Sequence, residues 1–380
     1  HFKKVKIVCD DRIPFLKGVF EPYAEVVYLP GARTGASDVK DADALITRTR
    51  TRCDRTLLEG SSVKIIASAT IGYDHIDTAW CEANGIRWCN APGCNSSSVE
   101  QYVLSVLLTL ARQHELRLEG MTLGVVGVGN VGSKVARAAG ILGMKVLLCD
   151  PPRAEAEGPE GFVSLKKLVE GSDIITLHVP LSPQTFHLFG RERLASLRPD
   201  QILINSSRGE VVDGAALKEA LKAGRLRAAV LDVWEGEPDI DKELMGLVDI
   251  ATAHIAGYSA DGKAAGTQAA VRAVSQALGI EALKKWSPSK LPLPARDLDF
   301  HIDGHGMSEQ QIVSEAVLYT YDVLWDSGKL RSHRENFEKL RGEYQIRREF
   351  PAFAVHLHED GTHAAEKLEA LGFTLMESSR

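Results

Sequence analysis

The sequence predicts an α/β protein with parallel sheets in two lobes, followed by a C-terminal α+β unit. Short apolar runs alternate with helical patterns up to about residue 285, which is typical of parallel strands linked by helices. A glycine-rich turn at 127–132 follows the first strand of one sheet, so the chain before about residue 95 must form another. Beyond Leu283 the prolines at 288, 292 and 294 indicate a stiff linker.

The elements follow from periodicity and flanking residues. A serine-rich start predicts a helix over 99–112, and an alanine-rich pattern predicts a helix over 264–283 that returns to the first lobe. After the linker, 309–325 and 362–371 are helical and 352–358 alternates like a strand. The predicted strands of the two lobes cover 5–9, 44–46, 63–67, 123–126, 146–149, 174–177, 202–204 and 228–233. The resulting domains are 1–94 with 258–286 for substrate, 95–257 for a dinucleotide, and 287–380 for dimerisation.

The stretch 127–132 has the spacing of a dinucleotide-binding turn, and it follows an apolar strand. Gly127 permits the tight turn, Gly129 lets backbone approach a pyrophosphate, and Gly132 lets the following helix pack closely. Asn130 and Val131 lie at the start of that helix, where amide groups face phosphate. Asp150 closes the next strand, where a carboxylate accepts from ribose hydroxyls and repels a 2′-phosphate. We therefore expect NAD as cofactor and lobes of the Rossmann or flavodoxin type, although Arg153 nearby could pair with the 2′-phosphate of NADP.

Three side chains that lie just past predicted strands have complementary chemistry. Because the carboxyl ends of parallel strands converge on one crevice, Arg208, Glu237 and His254 are expected to meet around one substrate. Oxidation of a secondary alcohol requires a base for the hydroxyl proton, and His254 suits that role. Glu237 would orient the imidazole, and Arg208 would bind a substrate carboxylate.

These motifs resemble those of the D-isomer-specific 2-hydroxyacid dehydrogenases. The matching stretches are 127–132, 205–209, 232–238 and 254–257, in that order. A closer resemblance, in 91–95, 148–153, 232–238, 254–258 and the C-terminal unit, is to a branch of that family in pyridoxal 5′-phosphate (vitamin B6) biosynthesis. It implies NAD-dependent oxidation of 4-phospho-D-erythronate to 2-oxo-3-hydroxy-4-phosphobutanoate by a homodimer joined through the C-terminal domain.

The resemblance also implies roles for individual residues, with His254 as proton donor or acceptor and Arg208 and Glu237 in the active site. Thr70 is a departure, because the wider family usually has glycine at that position. The alternation Thr47 to Arg52 adds Arg48 as a candidate phosphate contact, since alternate side chains of a strand share a face. The implied NAD contacts beyond the glycine turn are Asp150, Thr176, Ser206, Ser207, Asp232 and Gly257. The implied substrate contacts are Thr49, Thr70 and Tyr258.

Composition excludes several classes of function. A net charge of −6 argues against nucleic-acid binding, and no apolar run approaches the roughly 20 residues of a membrane helix. The six cysteines form no CxxC pair, and the N-terminal run lacks a signal-peptide core, so a cytoplasmic location is expected. The histidines at 301, 305, 356, 358 and 363 lack a completing ligand set, so no metal is expected.

Two alternatives remain open at this level. Phosphoglycerate dehydrogenase, or another D-2-hydroxyacid dehydrogenase, would use the same scaffold on a related hydroxy acid. An NAD-sensing corepressor would keep the glycine turn and could keep the catalytic set.

Overall fold

The computed structural model describes residues 4–377 and divides them into two compact units. The first comprises 4–95 with 259–292, and the second comprises 96–258 with 293–377. The C-terminal segment thus packs within the second unit. The assignment of three functional domains from the sequence stays a prediction.

Strands and helices alternate along most of the chain. In chain order the strands are β1 (Lys6–Asp10), β2 (Glu25–Leu29), β3 (Ala44–Thr47), β4 (Ile65–Ser68), β5 (Arg87–Cys89), β6 (Thr122–Val126), β7 (Lys145–Cys149), β8 (Ile174–Leu177), β9 (Ile202–Asn205), β10 (Ala228–Leu231), β11 (Ile250–Ala251), β12 (Asp299–Asp303), β13 (Ala354–His358) and β14 (Thr374–Leu375). The α-helices are α1 (Ala36–Val39), α2 (Arg55–Leu58), α3 (Thr78–Ala83), α4 (Ser96–Gln113), α5 (Asn130–Ile141), α6 (Pro151–Glu157), α7 (Leu165–Gly171), α8 (Arg191–Ala195), α9 (Gly214–Lys222), α10 (Lys242–Leu247), α11 (Ala260–Leu278), α12 (Glu309–Thr320), α13 (Val323–Ser332), α14 (Phe337–Gly342) and α15 (Ala364–Leu371).

The first unit is built on a parallel sheet of order β2-β1-β3-β4-β5, the flavodoxin-type order. Its central strands β3 and β4 are buried along their whole length, as expected for strands covered on both faces. The returning helix α11 packs on β4; Ser259 caps its start, and Gly279 ends it in the left-handed conformation. This confirms the fold expected from the alternating pattern of the first lobe.

The second unit contains a parallel sheet of order β11-β10-β9-β8-β6-β7. Strand order reverses between β6 and β8, the switch point at which ligands bind in such sheets. The helix α4 is almost entirely buried and packs against α5, α12 and α13. One continuous apolar core runs from Val99 on α4 to Phe373 near the C-terminus. The C-terminal segment therefore shares the core of the dinucleotide-type sheet.

The C-terminal segment forms a parallel three-stranded sheet of order β12-β13-β14 with helices between its strands. The strand expected over 352–358 and the helix expected over 362–371 correspond to β13 and α15. The stretch expected to be helical over 309–325 forms two helices in the structure, because the backbone of Tyr321 is extended and ends α12. Asp322 then caps α13 by accepting a hydrogen bond from Leu324 N at 3.0 Å. Within residues 4–377 we find no helix with the length and apolar character needed to span a bilayer.

A glutamate buried on α4 makes the stability of the second unit depend on pH. Burial raises the pKa of Glu100 from 4.5 to about 7, with Lys134 and Arg137 opposing the shift. Since the folded state holds this proton more tightly than the unfolded state, its contribution to stability is greatest below about pH 4.5. That contribution, at most about 3 kcal/mol, is lost as pH rises through 7.

We expect Glu100→Gln to remove this pH dependence. The variant should have a higher urea-unfolding midpoint than the parent at pH 8 and nearly the same midpoint at pH 5. Glu155→Gln, at an exposed position on α6, is the control and should match the parent at both values. A Glu100→Gln midpoint that follows the parent at both pH values would contradict the prediction.

Candidate active site

The glycine turn after β6 has the geometry that a dinucleotide requires. Gly127 has a φ of +86°, and a Cβ there would lie 2.2 Å from the His178 carbonyl oxygen. A Cβ on Gly132 would lie 1.9 Å from the Gly127 oxygen, whereas a Cβ on Gly129 would meet nothing within 4 Å. The first and last glycines are therefore required by the protein itself, and the middle one leaves open space in front of the N-terminus of α5.

Asp150 is placed at the end of β7 as the sequence predicts, and it also organises the turn. Its Oδ2 accepts from Val128 N at 2.8 Å, and its Oδ1 accepts from Arg153 N at 3.1 Å as the cap of α6. The Arg153 guanidinium pairs with Glu157 at 2.6 Å and donates to Val128 O at 2.8 Å. Arg153 is thus occupied within the protein, which removes the main argument for a 2′-phosphate.

The strand ends beside the turn carry the other expected cofactor contacts. Thr176 is buried, and its hydroxyl lies 2.8 Å from His178 Nε2. Ser206 Oγ is buried without a hydrogen-bond partner in the described chain, whereas Ser207 Oγ donates to Asn205 Oδ1 at 2.9 Å. A buried hydroxyl without a partner costs free energy unless a ligand supplies one. These residues, with the glycine turn, fit a bound dinucleotide.

His254 and Glu237 meet as the sequence predicts, on the loops after β11 and β10. His254 Nδ1 lies 2.7 Å from Glu237 Oε2, and Glu237 Oε1 accepts from Trp234 N at 2.9 Å. The imidazole is 30 % exposed and the carboxylate 20 %, so the pair is shielded yet reachable. Such a pair can move a proton at the free ring nitrogen while the carboxylate fixes the ring.

Arg208 lies after β9, which is the neighbour of β10 in the sheet. Its guanidinium is exposed and donates to the Ser207 carbonyl at 2.9 Å; within residues 4–377 it forms no ion pair with Glu237. Asn205 shapes the turn by donating to Arg208 O at 2.9 Å and accepting from Ser207 N at 3.1 Å. The charge of Arg208 therefore remains available to an anionic ligand.

Asp232, expected to contact NAD, anchors the loop that carries His254. Its side chain is fully buried and accepts from Thr252 Oγ1 at 2.7 Å, Ile255 N at 2.9 Å and Ala256 N at 3.0 Å. Its carbonyl accepts from His254 N at 2.8 Å, and His254 itself has a φ of +55°. The NAD contacts of Asp232 and of the nearby Gly257 stay predictions, but the carboxylate clearly sets the conformation of the loop.

Two arginines of the C-terminal segment reach the same loop, and the dehydrogenase motifs include neither of them. Arg347 is buried and donates to the carbonyls of Ile255 and Ala256 at 3.0 and 2.6 Å. Arg341 donates to the Tyr258 hydroxyl at 2.8 Å. Only the double arginine at 347 and 348 in the sequence could have pointed to this region, and it indicates charge rather than burial.

The expected substrate contacts of the first unit lie at the ends of β3 and β4. Arg48 and Thr49 are exposed, and Thr70 is half-buried. Thr70 Oγ1 donates to Arg48 O at 3.1 Å or Gly72 O at 3.0 Å and lies 2.6 Å from Ser68 Oγ. Thr70 thus ties the ends of the two strands together.

The metal-ligating residue types have local roles in the described chain. His301 Nδ1 lies 2.9 Å from His358 Nε2, and His356 pairs with Asp299. A cluster that the motifs did not reveal consists of His187, Asp213 and Glu235. Asp213 caps α9, Glu235 accepts from Gly214 N at 2.7 Å, and His187 Nε2 lies 2.9 Å from Glu235 Oε2. These bonds hold the start of α9.

Comparison with known proteins gives two family matches and many relatives. Residues 102–256 match the D-isomer specific 2-hydroxyacid dehydrogenase, NAD binding domain, and residues 293–372 match a domain of unknown function. The erythronate-4-phosphate dehydrogenase of Bacteroides fragilis is 49% identical over 92% of this chain and 99% of its own length. Among solved structures, TT0316 protein from Thermus thermophilus has 30% identity and a TM-score of 0.60, covering 76% of this chain and all of its own. The D-lactate dehydrogenase of Aquifex aeolicus, complexed with NAD and lactic acid, has 25% identity, a TM-score of 0.56 and the same coverage.

The open space at Gly129 makes a prediction that separates cofactor binding from folding. Gly129→Ala should fold normally, because its Cβ meets no protein atom within 4 Å, but should weaken NAD binding about tenfold or more by blocking the approach of the pyrophosphate. Gly140→Ala, also without a neighbour within 4 Å but at the opposite, C-terminal end of α5, is the matched control. Calorimetric titration with NAD checks both, and equal affinity of the two variants would refute the interpretation of the turn.

Proposed function

Because the chain belongs to the D-isomer specific 2-hydroxyacid dehydrogenase family, we propose that it oxidises 4-phospho-D-erythronate with NAD. The product is 2-oxo-3-hydroxy-4-phosphobutanoate, and the reaction serves the formation of pyridoxal 5′-phosphate. The observation that carries the chemistry is the His254–Glu237 pair beside the strand end that bears Arg208. The observation that supports the substrate is the identity of 40–49% with erythronate-4-phosphate dehydrogenases over most of the chain.

The protein's part of the reaction is proton transfer and orientation. With Nδ1–H donating to Glu237, the Nε2 atom of His254 carries the lone pair that accepts the substrate hydroxyl proton. Glu237 stabilises the imidazolium that forms, and its second oxygen is held by Trp234 N. In the reverse direction the same imidazolium returns the proton to the carbonyl oxygen.

When bound, NAD would supply the two-electron oxidant for this reaction. The glycine turn, Asn130 and Val131 would hold its pyrophosphate, and Asp150 its ribose hydroxyls. Ser206, whose buried hydroxyl has no partner in the described chain, would complete its hydrogen bonds with the cofactor. Thr176, Ser207, Asp232 and Gly257 complete the proposed cofactor contacts.

The substrate carries a carboxylate and a phosphate, so its binding needs positive charge in a protein whose net charge is −6. Arg208, exposed and without an acidic partner among the described residues, would bind the carboxylate through two parallel hydrogen bonds. Arg48, Thr49, Thr70 and Tyr258 are the proposed contacts for the rest of the substrate. The Tyr258 hydroxyl already accepts from Arg341, which brings a further cation to this residue.

We further propose that the enzyme is a homodimer joined through the C-terminal segment and resides in the cytoplasm. Four large apolar side chains of that segment are exposed in the single chain: Leu293, Trp325, Ile346 and Met376. A second copy would remove such surface from water. All six cysteines are free thiols, which fits a reducing compartment.

Purified protein should reduce NAD with 4-phosphoerythronate and much less with 3-phosphoglycerate or unphosphorylated 2-hydroxy acids.

His254→Ala should lower kcat about 10²- to 10⁴-fold with NAD affinity unchanged, because only the proton acceptor is lost. His114→Ala, which breaks a histidine–carboxylate pair with Asp249 elsewhere in the same unit, is the control. No turnover of 4-phosphoerythronate, with or without an added oxidant to regenerate NAD, would overturn the proposed substrate.

The dimer makes a separate prediction for sedimentation. The parent should sediment at twice the monomer mass at micromolar concentration, and Trp325→Lys should shift the equilibrium toward monomer. Tyr23→Lys makes the same change at an equally exposed aromatic of the first unit and should leave the mass unchanged. A monomeric parent would contradict the proposed assembly.

A further inference from the structure

Arg347 is a buried cation bound to main-chain carbonyls rather than to a carboxylate. Its side chain is 2 % exposed, and its Nη2 donates to Ser98 Oγ at 2.6 Å, Ile255 O at 3.0 Å and Ala256 O at 2.6 Å. Within the described residues it forms no ion pair, and its Nε and Nη1 have no hydrogen-bond partner. Burial of a guanidinium in this state is costly, so the position needs a compensating reason.

Aromatic rings and a distant carboxylate supply part of that compensation. The guanidinium carbon lies 4.4 Å from the Tyr321 ring centre and 5.8 Å from the Tyr344 ring centre, within the range of cation–π attraction. Both tyrosine hydroxyls donate to the buried carboxylate of Asp326, at 2.7 and 2.6 Å. Tyr321, Tyr344 and Asp326 of the C-terminal segment thus surround the guanidinium with ring faces and a nearby negative charge.

The carbonyls that Arg347 binds belong to the two residues directly after His254. The amides of the same two residues donate to the buried carboxylate of Asp232. The peptide groups of this turn therefore lie between an anion on their N–H side and a cation on their C=O side. Ser98 Oγ, which donates to Ala256 O at 2.9 Å, joins α4 to the same contact.

We propose that Arg347 is a positioning residue for catalysis: it fixes the loop that carries His254 and so sets the imidazole against Glu237 and the substrate. This inference rests on the proposed role of His254 as the proton acceptor. It assigns a task to the C-terminal segment, whose match is to a domain of unknown function, in addition to the proposed dimer contact.

The test compares two arginines that make similar contacts at opposite ends of β11. Arg347→Met removes the contact to the loop after the strand. The matched control Arg331→Met removes a guanidinium of α13 that donates to Val248 O at 2.7 Å and Asp249 O at 3.3 Å. These are the carbonyls of the two residues that precede β11. The readouts are kcat and KM with 4-phosphoerythronate, NAD affinity by titration, and hydrogen exchange of the peptide spanning 252–258.

Arg347→Met should lower kcat about 10- to 100-fold with NAD affinity within about twofold of the parent, since a misplacement near 1 Å has that effect on rate. Exchange of the amides in 252–258 should accelerate at least about tenfold. Arg347→Lys, which keeps a cation, should recover part of kcat. Arg331→Met should leave both kcat and loop exchange near the parent values.

Unchanged kcat and loop exchange in Arg347→Met would overturn the proposal, and so would equal losses in Arg347→Met and Arg331→Met. If neither Arg347 variant folds, Ser98→Ala is the substitute, because it removes the hydroxyl that is bonded to both Arg347 and Ala256. Unchanged hydrogen exchange of 252–258 in Ser98→Ala would refute the proposed positioning role. The parent protein could also be inactive on 4-phosphoerythronate while Arg347→Met still accelerates exchange of the loop. That result would refute the proposed substrate and support the proposed contact between Arg347 and the loop.

Discussion

The buried carboxylate of Asp232 is the group on which the arrangement of the loop carrying His254 depends. It accepts three hydrogen bonds from the segment Thr252 to Ala256, in a position with no access to water. Hydrogen bonds to a charged group contribute about 1.5–3 kcal/mol each, and an unmatched buried charge costs at least as much. The loop therefore has one arrangement that satisfies the carboxylate, and His254 takes its orientation from that arrangement.

The backbone of His254 shows why such an anchor is needed. Its φ of +55° lies in the left-handed region, which a residue with a side chain occupies at a cost of order 1 kcal/mol or more. Bonds on both sides of the residue offset this cost: His254 N donates to Asp232 O, and the following amides bind the carboxylate. The conformation turns the imidazole toward Glu237 at 2.7 Å. Bonds within the protein thus orient the imidazole.

The sequence predicted the parts of the site that lie directly at strand ends. Gly127, Gly132 and Asp150 follow from a local rule, because the turn must be tight and the next strand must end beside it. His254 and Glu237 could be paired since parallel strands place their carboxyl ends at one edge of the sheet. The same motifs did not predict that Asp232 binds the backbone amides of the loop. A sequence motif is the same whether its carboxylate contacts a ribose or a backbone turn.

The contribution of the C-terminal segment could not be predicted, for a different physical reason. The contacts of Arg347 with Ile255 and Ala256 join positions about 90 residues apart and depend on the packing of α4 against α12 and α13. Periodicity reports which face of a helix is apolar, not which helix covers it. The break between α12 and α13 was missed for a related reason, since apolar spacing continues through Tyr321 while Asp322 caps a new helix.

Asp232 and Arg347 together satisfy main-chain groups of a loop that is not part of a sheet. Main-chain groups in loops are usually satisfied by water, which leaves them mobile. Here the N–H groups of residues 255 and 256 bind a carboxylate and their C=O groups bind a guanidinium, so water is replaced on both sides. Two solved relatives are matched along their full length by 76% of this chain. In this protein Arg347 of the C-terminal segment supplies the cation, so the loop that carries His254 is bound to a part of the chain that none of the dehydrogenase motifs includes.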